Sequence, residues 1–123
     1  MGLKMTNEIQ NVPMPEYYIP SQSPREKIIG NKISKLYKGS SVWIIPLSAR
    51  YGDDVTAMAI NCLSFSTSLI ELPEPFQAYI EEYDGQFIKV RNSNYYCLKI
   101  DIGDLKDLIP CAGAEKSQQE DFT

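Results

Sequence analysis

Aromatic and cationic side chains alternate between residues 87 and 99, a combination that could bind a nucleic acid. The strand pairing predicted for this stretch places five of them on one side of a sheet: Phe87, Lys89, Arg91, Tyr95 and Lys99. Bases stack on aromatic rings while cations contact phosphates, so such a face is typical of a platform for single-stranded nucleic acid. The alternative is that another part of the chain covers the rings, with the lysine and arginine stems laid along them.

The residues that enzymes use most often are missing. The chain has no histidine, which removes the commonest general base and the Ser–His and Cys–His nucleophile pairs. Its three cysteines, Cys62, Cys97 and Cys111, are an odd number without CxxC spacing, which argues against a disulfide framework and a zinc site. A neighbouring Lys89 or Lys99 would lower the pKa of Cys97, but we favour inert thiols. We therefore expect no catalysis and no cofactor.

Clustered aspartates raise the question of a metal site. Asp53 and Asp54 are adjacent, but at the start of a predicted helix one caps the backbone and the other favours the helix dipole. Asp101, Asp104 and Asp107 recur at every third position, yet no glutamate follows at the distance that an EF-hand loop requires. We expect no bound metal.

Residues 76–102 predict three consecutive antiparallel strands. Asp84-Gly85 is a strong two-residue hairpin signal, and a loop at 92–94 leads to the third strand. The predicted pairs include Tyr83 with Gln86 and Ile88 with Leu98. The inner face then holds an apolar set: Tyr79, Tyr83, Ile88, Val90, Tyr96, Leu98 and Ile100. The outer face holds Ile80, Glu82, Phe87, Lys89, Arg91, Tyr95, Cys97 and Lys99.

Residues 1–22 contain three prolines without helical or strand periodicity, which predicts an extended arm that docks on a partner or on this protein's own sheet.

A helix follows, with Ser23 as N-cap, Pro24 at its first position and Glu26 completing a capping box. Gly39 marks its end. The helix is basic and adds four residues to the candidate binding set: Arg25, Lys27, Lys32 and Lys35.

The other segments are shorter. Residues 41–49 predict a buried strand, with Pro46 at an edge or bulge. Residues 55–66 fit a helix or a strand, and we favour the helix. Residues 103–109 predict one or two helical turns. Residues 111–123 predict a disordered acidic tail, whose Glu120-Asp121-Phe122 resembles the partner-recruiting tails of single-stranded DNA-binding proteins, although Thr123 follows the phenylalanine here.

Composition limits the class of protein. The 123 residues suffice for one domain. The first ten lack the apolar stretch of a secretory signal, and no apolar run reaches the roughly 18 residues of a membrane helix. We therefore expect a cytoplasmic protein that does not bind membranes. Residues 1–50 hold seven Lys or Arg against three acidic residues, while residues 51–123 hold five against thirteen, an asymmetry that favours a partner of complementary charge.

Together these patterns predict an α+β fold. A basic N-terminal helix would pack on an antiparallel sheet of four to five strands in one globular domain, residues 23–110. A small all-β barrel resembling OB or SH3-like folds is the alternative if 55–66 is a strand. The predicted function is that of a non-enzymatic binding protein that docks on a macromolecular partner, above all a protein, as an adaptor, accessory subunit or inhibitor.

Three alternatives stay open. Inhibitors made by viruses and mobile elements often lack motifs in this way, so such an origin is one alternative. The competing function is single-stranded nucleic-acid binding through the aromatic and basic sheet face. An exposed edge strand that pairs across a two-fold axis would also make a homodimer.

Overall fold

The computed structural model describes residues 12–47, 57–62, 68–95 and 97–112. Residues 1–11 of the arm, the Asp53-Asp54 pair, Tyr96 and residues 113–123 of the predicted acidic tail lie outside the described residues. No helix in the described part of the chain combines the length and apolar character needed to cross a membrane.

The described residues form one α-helix and one seven-stranded antiparallel sheet. The helix α1 spans Pro24–Ser34. The strands are β1 (Ser41–Pro46), β2 (Met58–Asn61), β3 (Ser68–Glu71), β4 (Phe76–Tyr83), β5 (Phe87–Arg91), β6 (Leu98–Asp101) and β7 (Leu105–Pro110), with a 3-10 turn at Ile102–Asp104 before β7. Their order is β3-β2-β6-β5-β4-β1-β7, so β3 and β7 are the edges. The α+β prediction is confirmed, with more strands than expected.

The sheet curls strongly. Strands β1 and β2 are four places apart in the strand order, which in a flat sheet means about 19 Å, because neighbouring strands lie about 4.8 Å apart. Nevertheless, the Ala57 amide, at the start of β2, donates to the Leu47 carbonyl at the end of β1 over 3.1 Å. The sheet therefore bends until these two strands meet at one end, and its concave side encloses the core.

The core lies between this concave side and α1. The helix buries Ile29 and Ile33, and Leu36 continues the same stripe after the helix. The predicted capping box is present, since the Ser23 hydroxyl accepts from the Glu26 amide and the Glu26 carboxylate accepts from the Ser23 amide. The sheet contributes eleven fully or almost fully buried side chains: Val42, Ile44, Ala59, Ala78, Ile80, Ile88, Val90, Leu98, Ile100, Leu105 and Leu108.

The helix ends at Ser34, earlier than predicted, and the arm pairs with the residues that follow it. The Met14 amide donates to the Leu36 carbonyl over 3.0 Å, and the Lys38 amide donates to the Val12 carbonyl over 2.7 Å. Met14 is buried, and Pro13 forms an isolated bridge with Tyr37. The described part of the arm thus docks on the protein itself.

The arm also covers the tip of the β4–β5 hairpin. The Tyr17 ring meets the Tyr83 ring edge-on at 5.5 Å between centroids. Gly85 has a φ of 102°, and a side chain there would come within 3.0 Å of Ile19 Cδ1 and Tyr17 Cγ. Glycine is therefore required at this turn both for its backbone conformation and for the approach of the arm.

The predicted register of the central strands is wrong. Tyr83 pairs with Ile88 instead of Gln86, and a bulge between Ile80 and Glu82 adds one residue to β4. As a result Ile80 is buried, whereas Tyr79 is 45% exposed, which reverses the predicted faces of both. Between β5 and β6, Ile88 lies opposite Ile100 and not Leu98. The side chains of Ile88, Ile100 and Leu98 nevertheless all point into the core, as predicted.

Two predicted helical segments are strands. Residues 58–61 pair with β3 on one side and β6 on the other, so the predicted helix is wrong in the described part of 55–66. Residues 105–110 pair with β1, and only Ile102–Asp104 keeps a helical turn, whose Gly103 amide is capped by Asp101. In both places pairing with strands distant in sequence outweighs the local pattern.

Replacing Gly85 with alanine tests the packing of the arm. Positive φ costs an alanine about 1–2 kcal/mol, and the contact with Tyr17 and Ile19 should add about 1 kcal/mol or more through overpacking. Gly39→Ala is the matched control, because Gly39 has a φ of 87° but nothing within 4 Å of the added carbon. Urea unfolding should show Gly85→Ala to be the more destabilising; equal losses would mean that the arm does not pack there.

Candidate functional site

The nine predicted binding residues do not form one surface. Three of them, Phe87, Lys89 and Lys99, line a groove of about 390 Å³ between the arm and the β4–β5 hairpin, which we call the arm groove. Its other lining residues are Val12, Pro13, Met14, Pro15, Lys38, Glu81, Glu82, Tyr83 and Asp84. Strands β5 and β6 position the three predicted residues, because Lys89 and Lys99 lie directly opposite one another.

Charges in the arm groove are nearly balanced. The Lys99 ammonium lies 5.0 Å from the centre of the Phe87 ring, and the Lys89 ammonium lies 3.3 Å from the Glu82 carboxylate. The hydrogen bond and charge of Glu82 raise the pKa of Lys89. Three cationic and three carboxylate side chains line the groove in all. It therefore lacks the positive excess on which phosphate binding depends.

Asp84 holds the turn below the groove. Its carboxylate accepts from the Phe87 amide at 2.7 Å and from the Gln86 amide at 2.9 Å. Burial alone would raise the pKa of Asp84, but these two hydrogen bonds and the positive charge of Lys99 outweigh it and lower the pKa below its ordinary 3.8. Asp84 therefore stays ionised at neutral pH and offsets part of the lysine charge.

Arg91 and Tyr95 lie away from this groove. The Arg91 guanidinium donates to the Glu81 carboxylate and lies 5.2 Å from the centre of the Tyr79 ring. Tyr95 packs against the core, and its amide donates to the Asn92 side chain, which closes the β5–β6 loop. Of the two predicted stacking rings, only Phe87 faces the groove.

The four helical cations form a separate and scattered set. Arg25 donates to the Gly103 carbonyl at 2.9 Å, Lys32 pairs with Asp107 at 2.7 Å, and the Lys27 ammonium lies 5.9 Å from the centre of the Tyr18 ring. Lys35 is exposed. Since α1 packs on β7 and the 3-10 turn, Arg25 and Lys32 fasten the helix to the sheet.

An exposed apolar surface lies on the convex side of the sheet. Trp43, Tyr79 and Ile109 are 41%, 45% and 45% exposed. Trp43 lies directly opposite Ile109 on β7, and Tyr79 lies opposite Arg91 on β5. Directly paired residues point to the same side of a sheet. Tyr79 also lies opposite Ser41 on β1, two residues from Trp43, so Tyr79 and Trp43 share one side of the sheet. Trp43, Tyr79, Ile109 and Arg91 therefore form one ribbon across four strands, which we call the outer patch.

A hollow of about 410 Å³ borders the outer patch at Tyr79. The sheet provides one wall and the β5–β6 loop the other, and the lining residues are Ser41, Phe76, Gln77, Ala78, Tyr79, Asn92, Ser93 and Asn94. Amide and hydroxyl groups thus surround an aromatic ring. This combination of an apolar ribbon and a polar hollow can receive a protruding side chain and hydrogen-bond the backbone around it.

Sequence reasoning missed the outer patch because residues 41–49 were interpreted as a buried strand. The sequence offers no alternation there, because residues 42–45 are all apolar, whereas the structure buries Val42 and Ile44 fully and leaves Trp43 between them exposed. The single tryptophan of the chain therefore lies on the surface. The predicted residue Arg91 belongs to this patch and not to the arm groove.

Comparison of the chain with protein-family models, with curated proteins and with solved structures found no match. Within the described ranges, no group of three or more histidine, cysteine, aspartate or glutamate side chains could hold a metal ion. The candidate sites are therefore the arm groove and the outer patch.

Asp84→Asn tests the electrostatics of the hairpin turn. Because the folded-state pKa of Asp84 is lowered, its ionised form stabilises the fold above 3.8, and this contribution is lost as pH falls through the lower folded value. The difference in unfolding free energy between wild type and Asp84→Asn should shrink from about pH 6 to about pH 3. Glu71→Gln, on edge strand β3, controls for removal of one charge; a difference that does not depend on pH would contradict the assignment.

Proposed function

We propose that this protein is a non-enzymatic binding protein that docks on a partner protein through the outer patch, as an adaptor, accessory subunit or inhibitor. The observation that carries the proposal is the exposed ribbon of Trp43, Tyr79 and Ile109, extended by Arg91. Tryptophan, tyrosine and arginine are the residue types most enriched among the side chains that dominate the energy of protein interfaces.

The rigid strand that carries the outer patch supports this proposal. On the reverse side of β1, Val42 and Ile44 are fully buried, and β1 is hydrogen-bonded on both edges, to β4 and to β7. The strand that carries Trp43 is therefore held in place before any partner arrives. A rigid aromatic surface loses little conformational entropy on binding, which favours affinity.

The charge of the outer patch favours a protein over a nucleic acid. Arg91 is its one cation, and that cation is already paired with Glu81 and stacked on Tyr79. An uncharged centre with hydrogen-bonding groups at its margin, such as Gln77 and Asn94, is the usual composition of a protein interface. The expected partner surface is thus an apolar cleft or ridge with a polar rim.

Replacing Trp43 with serine should weaken partner binding roughly tenfold or more, since loss of a central interface aromatic commonly costs about 2 kcal/mol. A tagged wild-type protein would first capture a partner from the native host, and the affinity of the purified pair would then be measured by calorimetry. Tyr79→Ser should produce a similar loss. Thermal unfolding of each variant alone would verify that the fold is intact.

Leu69→Ser is the matched control. Leu69 is 68% exposed and lies on β3, the edge opposite β7. The Leu69→Ser variant should keep wild-type affinity for the same partner. If Leu69→Ser weakens binding and Trp43→Ser does not, the outer patch is not the interface. Gel filtration of the protein alone would detect a homodimer formed through an edge strand.

Single-stranded nucleic-acid binding is the second candidate, and the Lys99–Phe87 stack in the arm groove favours it. The carboxylates of Glu81, Glu82 and Asp84 in the same groove would repel phosphates. We therefore expect no binding of poly-dT in fluorescence anisotropy titrations even at low salt. Binding that weakens as salt rises, and that is lost in both Phe87→Ala and Lys89→Glu, would instead establish this function and displace the docking proposal.

A further inference from the structure

Cys62 and Cys97 lie directly opposite each other in the sheet. Strands β2 and β6 end their ladder with the pair Asn61 and Leu98. One residue further, the Cys62 amide donates to the Cys97 carbonyl over 3.1 Å. The two cysteines therefore continue the antiparallel register, with their side chains on the same side of the sheet.

The two thiols also influence each other electrostatically. The charge of Cys62 acts on the Cys97 thiol, the Cys62 thiol donates to the Ile60 carbonyl over 3.6 Å, and both cysteines are partly exposed. Hydrogen-bonded antiparallel pairs have Cα atoms about 5.5 Å apart, which lies within the 4.4–6.8 Å range typical of disulfides. The backbone thus meets the main geometric requirement for a bond between the two sulfur atoms.

We propose that Cys62 and Cys97 form a reversible intrachain disulfide under hydrogen peroxide, and that this bond fastens the β2–β3 hairpin to the central strands. One thiolate attacks the peroxide and becomes a sulfenic acid, releasing one water after protonation. The second thiol attacks that sulfur, the S–S bond forms, and the sulfenic oxygen leaves as a second water. Two thiols and one peroxide therefore give one disulfide and two waters.

The surroundings set the speed of this reaction. Burial, the interaction with Cys62 and the charge of Glu82 raise the pKa of Cys97 to about 11, and the Lys89 ammonium offsets only part of this. Lys89 thus lowers the pKa of Cys97 as expected, but burial and Cys62 outweigh it. A thiol that remains protonated reacts slowly with peroxide, so the pair responds to sustained rather than brief exposure.

The position of the bond gives it a structural effect. Among the described residues, β2 pairs with the central strands through a short ladder of three residue pairs with β6, besides the Ala57–Leu47 hydrogen bond at its start, and β3 pairs with β2 at the edge of the sheet. A disulfide at the end of this ladder closes the chain from residue 62 to residue 97 and restricts the unfolded chain. Oxidation should therefore stabilise the whole fold and hold the hairpin against β6.

The test is to incubate the full chain with excess hydrogen peroxide, alkylate it under denaturing conditions and measure its intact mass. We expect a monomer lighter by two hydrogens in which only one of the three thiols is alkylated, and peptide mapping should join Cys62 to Cys97. A thiol reductant should restore all three. The thermal midpoint of the oxidised protein should rise by roughly 10 °C.

Cys111→Ser should oxidise like the wild type, whereas Cys97→Ser should not form the intrachain species. The wild-type mass and mapping stand on their own if Cys97→Ser does not fold. Three alkylatable thiols after prolonged treatment, a bond that includes Cys111, or oxidation confined to disulfide-linked dimers would each overturn the proposal. None of these results depends on a partner, so the outcome is independent of the docking function.

Discussion

One extra residue in β4 determines how the rest of the molecule is arranged. Side chains along a strand alternate between the two faces, so Ile80 and Tyr83 would point to opposite sides of a regular strand. The bulge between Ile80 and Glu82 lets both enter the core, and it leaves Tyr79 on the convex side. Tyr83 then supports the arm, while Tyr79 joins Trp43 in the outer patch. Core, arm and candidate interface thus depend on a single irregularity.

Local features of this fold were predictable from the sequence. The capping box of α1 depends on residues three positions apart, and the inward direction of Ile88, Val90, Leu98 and Ile100 follows from strict alternation. The α+β class follows from these features together. The capping box and the alternation both depend on residues that are close together in the sequence, so the sequence itself reveals them.

Long-range pairing was beyond the reach of such patterns. The strand at 58–61 depends on β3 and β6, and the strand at 105–110 depends on β1, so neither segment reveals its structure in isolation. The bulge leaves no local signal either, and it moved Tyr79 from the predicted core to the surface. The candidate site was therefore predicted only in part: Phe87, Lys89 and Lys99 do meet, but beside carboxylates contributed by β4 and its turn.

The place of β7 beside β1 has a kinetic consequence. Strand β1 receives its second neighbour only from residues 105–110, some sixty positions later in the chain. During synthesis its backbone on that edge must remain unpaired until those residues have left the ribosome. Pairings of such sequence separation close slowly, and an apolar strand with a free edge is prone to aggregation meanwhile. We therefore expect the yield of folded protein to depend on chaperones that shield β1 during this interval.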